Sequence, residues 1–352
     1  MSRMPTEPPS CDIFCAVIDN LGDAGVCWRL ARQLAVEHGW RVRLWIDDPA
    51  PLDGFAPGQD VVAVRQWAGD FAHVEAADIV IEAFACNLPA AYLAAMAARP
   101  RPPVWLNLEY LSAEDWVAGC HGLPSPQHGL RKYFFFPGFA AGTGGLLRER
   151  DFSAAPPAPS FGDTLEISLF CYDNPALPAL LAAWRDGERP IVCHVCDGLP
   201  RRQVEQWLGA SLPATRGKLR LEALPFLTQP DYDALLARCH LNFVRGEDSF
   251  VRAQWAERPF VWQAYPQPED AHLVKLDAFL ARYTDNAAAR AFFRAWNGAD
   301  SPDWPAHWSS FAAALPALAA QAPGWAREIA AQGDLATNLV KFCLAKIGAA
   351  RL

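Results

Sequence analysis

Two carboxylates flank the turn that follows the first apolar segment of the chain. Asp19 stands at the predicted end of a strand, and Asp23 stands at the entrance of the helix behind it. Both side chains can then face a ligand site at the strand end and attract a cation. In the alternative interpretation Asp23 caps the helix and Asp19 stabilises the turn. The turn carries only Gly22 and Gly25 of a dinucleotide-binding glycine pattern, and its carboxylates would repel a pyrophosphate.

A second turn, farther along the chain, combines groups that suit a diphosphate. An apolar strand runs into Arg245, and Ser249 can cap or open the helix that follows. The arginine charge and the positive end of the helix both favour an anion. Glu247 and Asp248 can accept hydrogen bonds from ribose hydroxyls. The alternative is a capped helix with a surface Arg–Glu ion pair, which contributes little energy.

Two neighbouring strand ends supply aromatic and amide groups. Phe170 and Tyr172 end the first strand of the second half, and Phe226 and Gln229 follow another strand. Tyr172 can donate to a phosphate, while Phe226 can stack on a base whose edge Gln229 reads. Each aromatic residue is also compatible with ordinary core packing.

Two patterns that suggest a metal have structural explanations. Asp231 and Asp233 form a DxD pattern, but they precede and open a predicted helix as its N-cap and a first-turn charge. Cys193 and Cys196 form a CxxC pair within a predicted strand, where residues three apart point to opposite faces. We therefore predict buried, reduced cysteines, no metal and no other cofactor.

The elements around these turns predict an α/β fold with two Rossmann-like domains that face each other across a cleft. Apolar runs alternate with helical segments in both halves. Strands are predicted at residues 13–18, 42–46, 61–64, 79–84, 104–108, 133–136, 165–171, 191–196, 219–223, 241–244 and 260–262. Helices are predicted at residues 26–38, 89–98, 177–184, 202–208, 232–239 and 250–255. The domains span residues 1–150 and 164–335, with a linker at 151–163 and a C-terminal helix at 336–352 that packs back on the first domain.

Composition limits the classes of partner. A chain of 352 residues that is 52% apolar and 20% charged is globular and exceeds the usual size of one core. A net charge of -8 without a Lys/Arg block disfavours nucleic acid. The first ten residues lack the apolar core of a signal peptide, and no apolar run reaches membrane-spanning length. We expect a cytoplasmic protein without a membrane partner.

Four segments carry a resemblance to a known family. Residues 12–34 and 245–256 resemble the signatures of the elongation factor P arginine rhamnosyltransferases, EarP, and residues 169–173 and 225–229 also fit. The resemblance covers nearly the whole chain. It implies a GT-B glycosyltransferase that transfers L-rhamnose from dTDP-β-L-rhamnose to one arginine side chain of elongation factor P, with inversion of configuration.

The resemblance also implies roles for the residues of both turns. Asp19 and Asp23 match the catalytic carboxylates on the acceptor side, with Asp23 the candidate proton acceptor. The residues that match the donor pocket are Phe170, Tyr172, Phe226, Gln229, Arg245, Glu247, Asp248 and Ser249, and Tyr232 is expected near the base. Two alternatives stay open: a glycosyltransferase of the same architecture with another acceptor, and a nucleotide-sugar-binding protein without catalysis.

Overall fold

The computed structural model describes residues 7–19, 21–55, 61–67, 71, 73–152, 156, 158–300 and 303–349. The chain divides into two compact units, one of Met1–Phe152 with Ile329–Leu352 and one of Ser153–Glu328. The C-terminal segment that belongs to the first unit thus begins at Ile329 rather than at residue 336. The expected linker at 151–163 lies at the division and falls partly outside the described residues.

The first unit is built on a parallel sheet with helices. Its strands are β1 (Ser10–Cys15), β2 (Arg41–Ile46), β3 (Ala63–Gln66), β4 (Ile79–Ala83), β5 (Val104–Leu108), β6 (Pro124–Gln127) and β7 (Leu130–Phe135). Its helices in this part are α1 (Leu21–His38), α2 (Ala50–Phe55), α3 (Ala90–Ala98) and α4 (Val117–Cys120). In the described residues the strand order is β3-β2-β1-β4-β5-β7-β6, and only the β6–β7 pair is antiparallel. The order reverses between β1 and β4, where such folds bind ligands.

The second unit repeats this plan. Its strands are β8 (Leu165–Leu169), β9 (Ile191–Val195), β10 (Ala214–Arg216), β11 (Leu219–Ala223), β12 (Leu241–Arg245) and β13 (Phe260–Gln263). The helices are α5 (Leu177–Asp186), α6 (Leu199–Leu208), α7 (Gln229–Arg238), α8 (Asp248–Trp255), α9 (Ala271–Tyr283), α10 (Ala287–Trp296) and α11 (Trp304–Ala330). The strand order β10-β11-β9-β8-β12-β13 reverses between β8 and β12.

The last helix, α12 (Leu335–Ala349), packs against α1 of the first unit. Asp334, just before α12, accepts a hydrogen bond from Gln33 Nε2 at 3.1 Å. The Leu335 amide donates to the Leu146 carbonyl at 2.9 Å. These bonds and the apolar face of α12 attach the end of the chain to its first half.

Aromatic side chains fill both cores. Phe14, Tyr92 and Trp105 are buried in a cluster of the first unit. In the second unit the Phe243 ring packs edge-on against Trp184 and Trp296. Burial of such large side chains is a main source of stability.

The first strand begins and ends three residues earlier than the predicted strand at residues 13–18. This changes where the acidic turn, which carries Asp19 and Asp23, lies relative to the strand. β1 begins at Ser10 because Asp12, which is fully buried, is paired with Arg43 at 2.6 Å and accepts a hydrogen bond from Tyr92. The sequence alone made Asp12 look like a residue outside the sheet. Because β1 ends at Cys15, Asp19 lies four residues beyond the strand and not at its end.

The other predicted strands are each found within three residues of their predicted bounds, and two edge strands were missed. β6 and β10 each pair antiparallel at one edge of a sheet. β6 contains Pro124 and Pro126, which an edge strand tolerates. Helices α6 and α7 begin three residues earlier than predicted because a proline occupies the first turn of each, where it is compatible with a helix.

All ten cysteines lie in the described residues as free thiols, eight of them buried. Burial raises the pKa of Cys193 and of Cys196, so both thiols stay protonated near neutral pH.

Among the described helices, none combines the length and apolar character needed to cross a membrane.

Candidate active site

The acidic turn is a hydrogen-bonded unit at the start of α1. Asp23 is the third residue of that helix, which begins at Leu21 and not at residue 26. Its Oδ2 accepts hydrogen bonds from the amides of Ile18 at 2.9 Å and Asp19 at 2.8 Å. The carboxylate therefore organises the loop before the helix from within the first turn, and is not the N-cap that the alternative interpretation expected.

The environment of Asp23 suits a proton acceptor. The side chain is only 3% exposed, and this burial raises its pKa above the ordinary value of an aspartate. Hydrogen bonds from the Asp19 and Ile18 amides and from the Tyr110 side chain partly oppose the increase. A raised pKa makes a carboxylate a stronger base.

Sequence reasoning missed Tyr110, which follows β5 and bonds to Asp23. Its ring stacks on Phe84 with centroids 4.3 Å apart and planes 13° from parallel. Phe84 follows β4, the strand beside β1 at the reversal of strand order. The strand order brings these three residues together, and the sequence offers no local signal for that order.

The loop after β4 has an unusual backbone that polar bonds support. Phe84, Ala85 and Asn87 have positive φ angles of 56°, 54° and 58°, which are uncommon for residues other than glycine. The Ala85 amide donates to Asn107 Oδ1 at 3.1 Å, and the Asn87 amide donates to Glu82 Oε1 at 3.0 Å. Such strain is found preferentially where a protein must present groups to a ligand.

The second turn brings Arg245 together with the two aromatic residues that follow β8. The Arg245 guanidinium carbon lies 4.5 Å from the ring centroid of Phe170 and 4.5 Å from that of Tyr172. β12 is paired with β8, so both strands end at the same place. Cation–π contacts at this distance are attractive and hold the guanidinium at the strand ends.

Ser249 opens α8 and does not cap it, which is one of the two predicted positions. It is the second residue of α8 and not its N-cap, which is Glu247. The Ser249 hydroxyl accepts from the Arg245 amide at 3.0 Å and donates to the Arg245 carbonyl at 2.5 Å. The serine therefore fixes the main chain of the arginine. Gly246, with a φ of 60°, makes the sharp turn between them.

Phe226 and Gln229 lie in the connection from β11 to α7. The Phe226 ring is 47% exposed, so its face is available for stacking. Gln229 is the first residue of α7, and in the described part of the chain its Nε2 is buried without a hydrogen-bond partner. A buried donor of this kind is costly unless a ligand satisfies it. Tyr232 packs edge-on against Phe170, which places this connection beside the aromatic pair.

Asp248 of the second turn belongs to a charged network. Arg252 bonds to Asp233 at 2.6 and 2.8 Å and lies 3.5 Å from Asp248. Asp248 therefore stands in α8 as a partner of Arg252, while Glu247 precedes the helix without a side-chain capping bond. A role for either residue toward a ribose stays a prediction.

The DxD residues have structural partners. The N-cap of α7 is Thr228, and not Asp231 as predicted; the Thr228 hydroxyl donates to the Asp231 carboxylate at 2.6 Å. Asp233 pairs with Arg252. Throughout the described ranges, no group of three or more histidine, cysteine, aspartate or glutamate side chains has the arrangement that a metal ion needs.

The two α/β units, each with polar groups at its reversal of strand order, have the GT-B fold of glycosyltransferases. The glycosyltransferase VinC, solved in complex with dTDP, is similar with a TM-score of 0.54 at 13% identity, over 95% of this chain and 98% of that one. At this identity the likeness concerns the fold.

The family follows from closer similarities. Residues 11–344 match the family described as elongation factor P (EF-P) rhamnosyltransferase EarP. A protein-arginine rhamnosyltransferase of Pseudomonas putida is 48% identical, over 94% of this chain and 97% of its own length. A solved structure on EarP-mediated arginine glycosylation of translation elongation factor EF-P has a TM-score of 0.64 and 38% identity, over 95% of this chain and 98% of that one. The chain belongs to the EarP family.

Proposed function

We propose that this protein transfers L-rhamnose from dTDP-β-L-rhamnose to an arginine side chain of elongation factor P, with inversion of configuration. The observation that carries the proposal is the family match over residues 11–344, together with the 48% identity to a protein-arginine rhamnosyltransferase. Because the proposed acceptor is a translation factor, we place the reaction in the cytoplasm.

The acceptor requires a carboxylate base. An arginine guanidinium has a pKa far above neutral, so it is protonated and a poor nucleophile. In the proposed reaction a guanidinium nitrogen attacks the anomeric carbon, and the bond from that carbon to the diphosphate breaks. Asp23 accepts the proton that the nitrogen releases, and Asp19 orients the planar guanidinium. Burial, which raises the pKa of Asp23, supports this assignment.

Inversion follows from the direction of attack. The nitrogen approaches the face of the sugar opposite the diphosphate, through a transition state with oxocarbenium character. In this proposal the positive charge that develops on the sugar in the transition state is the charge that the carboxylates stabilise. Asp19 and Asp23 therefore stabilise the transition state more than the bound reactants.

The donor is held by the second turn. Arg245 and the N-terminal amides of α8 would stabilise the leaving diphosphate, with the Tyr172 hydroxyl as a further donor. Ser249 supports this role through its two bonds to the Arg245 main chain. In this proposal no metal takes part, because the positive charge comes from the chain itself.

The base and sugar of the nucleotide meet the connection from β11 to α7. The exposed ring of Phe226 would stack on the thymine, and the buried Gln229 amide would donate to its edge. Glu247 and Asp248 are the candidate acceptors for the sugar hydroxyl. The unsatisfied Gln229 nitrogen is the observation that supports this placement.

The test is a transfer assay with purified components. The chain is incubated with elongation factor P and dTDP-β-L-rhamnose, and the intact mass of the acceptor is measured. We expect the gain of one deoxyhexose, and no gain when donor or enzyme is omitted. If dTDP binds by calorimetry but no acceptor gains mass, the chain is a binding protein without catalysis. If only another acceptor gains mass, the architecture serves a different substrate.

A further inference from the structure

Gly22 lies between the two carboxylates, and its backbone does not require glycine. It is the second residue of α1 and is not among the glycines whose φ is positive. Any L-residue adopts such a conformation, and alanine favours a helix more than glycine does. The reason for glycine here must therefore lie outside the backbone angles.

The side of Gly22 that would carry a side chain is occupied by Asp19. A Cβ built on Gly22 would stand 2.6 Å from Asp19 Oδ2, and the three nearest atoms to it all belong to Asp19. The Gly22 amide also donates to the Asp19 carbonyl at 2.6 Å. The carboxylate thus occupies the space that a side chain at Gly22 would fill.

We propose that Gly22 is a positioning residue for the reaction. Because Gly22 has no side chain, the Asp19 carboxylate can lie in the space that a Cβ would fill, and this fixes its position. The inference rests on the proposed function, because only in that function does the position of the Asp19 carboxylate affect catalysis. Alanine at this position would force Asp19 Oδ2 to retreat from 2.6 Å to an ordinary contact of 3.4 Å or more. A misplacement of this size costs on the order of 10²-fold in rate for a group that orients a substrate.

The clash at Gly22 is of a kind that the fold can absorb. At Gly144, by contrast, a Cβ would meet the Phe135 ring at 2.6 Å and the Phe136 carbonyl at 3.0 Å, so alanine there would disturb the core. At Gly22 the nearest atom is the end of a half-buried aspartate side chain, which can rotate. The expected consequence is therefore a displaced carboxylate in a folded protein.

Gly119 provides a matched control. It also lies in a helix of the first unit, α4, and a Cβ added to it would meet nothing within 4 Å. Gly119→Ala makes the same chemical change without reaching Asp19. It should leave turnover at the level of the unchanged protein.

The experiment compares Gly22→Ala, Gly119→Ala, Asp19→Ala and the double variant Gly22→Ala/Asp19→Ala. The readouts are thermal melting, dTDP binding by calorimetry and the rate of single-turnover rhamnosylation. Gly22→Ala should melt no lower than the unchanged protein, bind dTDP equally well and react on the order of 10²-fold more slowly. The double variant should react no more slowly than Asp19→Ala alone, because the substitution acts only through that carboxylate.

Several results would overturn the inference. A Gly22→Ala rate like that of Gly119→Ala, with Asp19→Ala impaired, would show that the position of the Asp19 carboxylate beside Gly22 does not affect the rate. Independent, multiplying losses in the double variant would show that Gly22 acts by another route. A normal rate for Asp19→Ala would instead remove the proposed role of Asp19. Crystal structures of the unchanged and Gly22→Ala proteins test the positioning role without an activity measurement. An Asp19 carboxylate in the same place in both structures would refute the proposal.

Discussion

Replacement of Asp23 by asparagine separates the chemical role of this residue from its structural role. The asparagine oxygen can accept the Ile18 and Asp19 amides, as Asp23 Oδ2 does now at 2.9 and 2.8 Å. The side-chain amide can donate to the Tyr110 oxygen. The substitution therefore keeps the turn and removes only the charge and the ability to take a proton.

The effect on stability should be small. Loss of a negative charge in the first turn of α1 removes a favourable helix-dipole interaction of about 0.3–1 kcal/mol. Relief from burying that charge, which is what raises the pKa of Asp23, acts in the opposite direction. We expect a net change within about 1 kcal/mol, or about 2–4 °C in melting temperature for a unit of this size.

The sign of the burial effect gives a pH dependence. Folding favours the protonated form of Asp23, because its pKa is higher in the folded protein than in the unfolded chain. The resulting stabilisation is fully present below the ordinary aspartate pKa of 3.8 and is lost as pH rises through the raised pKa of the folded protein. The advantage that burial gives to asparagine should therefore be present near neutral pH and absent in acid. Melting curves of both proteins across pH measure it.

The effect on turnover should be large. Loss of a general base costs about 10²–10⁴-fold in rate, so single-turnover rhamnosylation at saturating donor and acceptor should fall by at least that range. Asp19→Asn should also be severely impaired, and the double variant should lose less than the product of the single losses because the carboxylates act as a unit. A folded Asp23→Asn protein with a near-native rate would refute the catalytic assignment, since asparagine caps a helix about as well as aspartate.

Three further predictions address dTDP binding by the second turn, the effect of Tyr110 on the pKa of Asp23, and the absence of a metal from the reaction. Arg245→Ala should weaken dTDP binding by roughly 10–100-fold through the loss of a charged donor, and Ser249→Ala by less, whereas Asp23→Asn should leave it unchanged in calorimetry. Tyr110→Phe removes a bond that lowers the pKa of Asp23, so the acidic limb of the rate profile should move to higher pH with dTDP affinity unchanged; an unmoved limb would contradict this role. Exhaustive treatment with EDTA should not reduce turnover, and activity restored by magnesium or manganese would refute a metal-free mechanism.

The fold was predictable where apolar runs coincide with strands. β5 and β11 lie at their predicted bounds because each is a short run between clear breaks. β1 was displaced because Asp12 is buried in an ion pair with Arg43, a partner 31 residues away that no local pattern reveals. β6 was missed because its two prolines argue against a strand unless its position at the sheet edge is known.

The candidate site could be outlined from the sequence as two turns but not as a geometry. Strand-to-helix turns with charged residues made Asp19, Asp23 and Arg245 candidates, and the resemblance to the EarP family assigned them roles that stay predictions. The contact of Tyr110 with Asp23 depends on the order of strands in the sheet, and the stack of Tyr110 on Phe84 depends on a loop with positive φ angles. Both arise from tertiary structure, which a single sequence does not encode locally.

Fragmentation mass spectrometry of the reacted acceptor can determine whether this chain glycosylates an arginine of elongation factor P. Purified chain, elongation factor P and dTDP-β-L-rhamnose are incubated, and the acceptor is digested and fragmented. We expect one deoxyhexose on a single arginine side chain, absent when that arginine is replaced by lysine. An unmodified acceptor, or a sugar on a residue other than arginine, would contradict it.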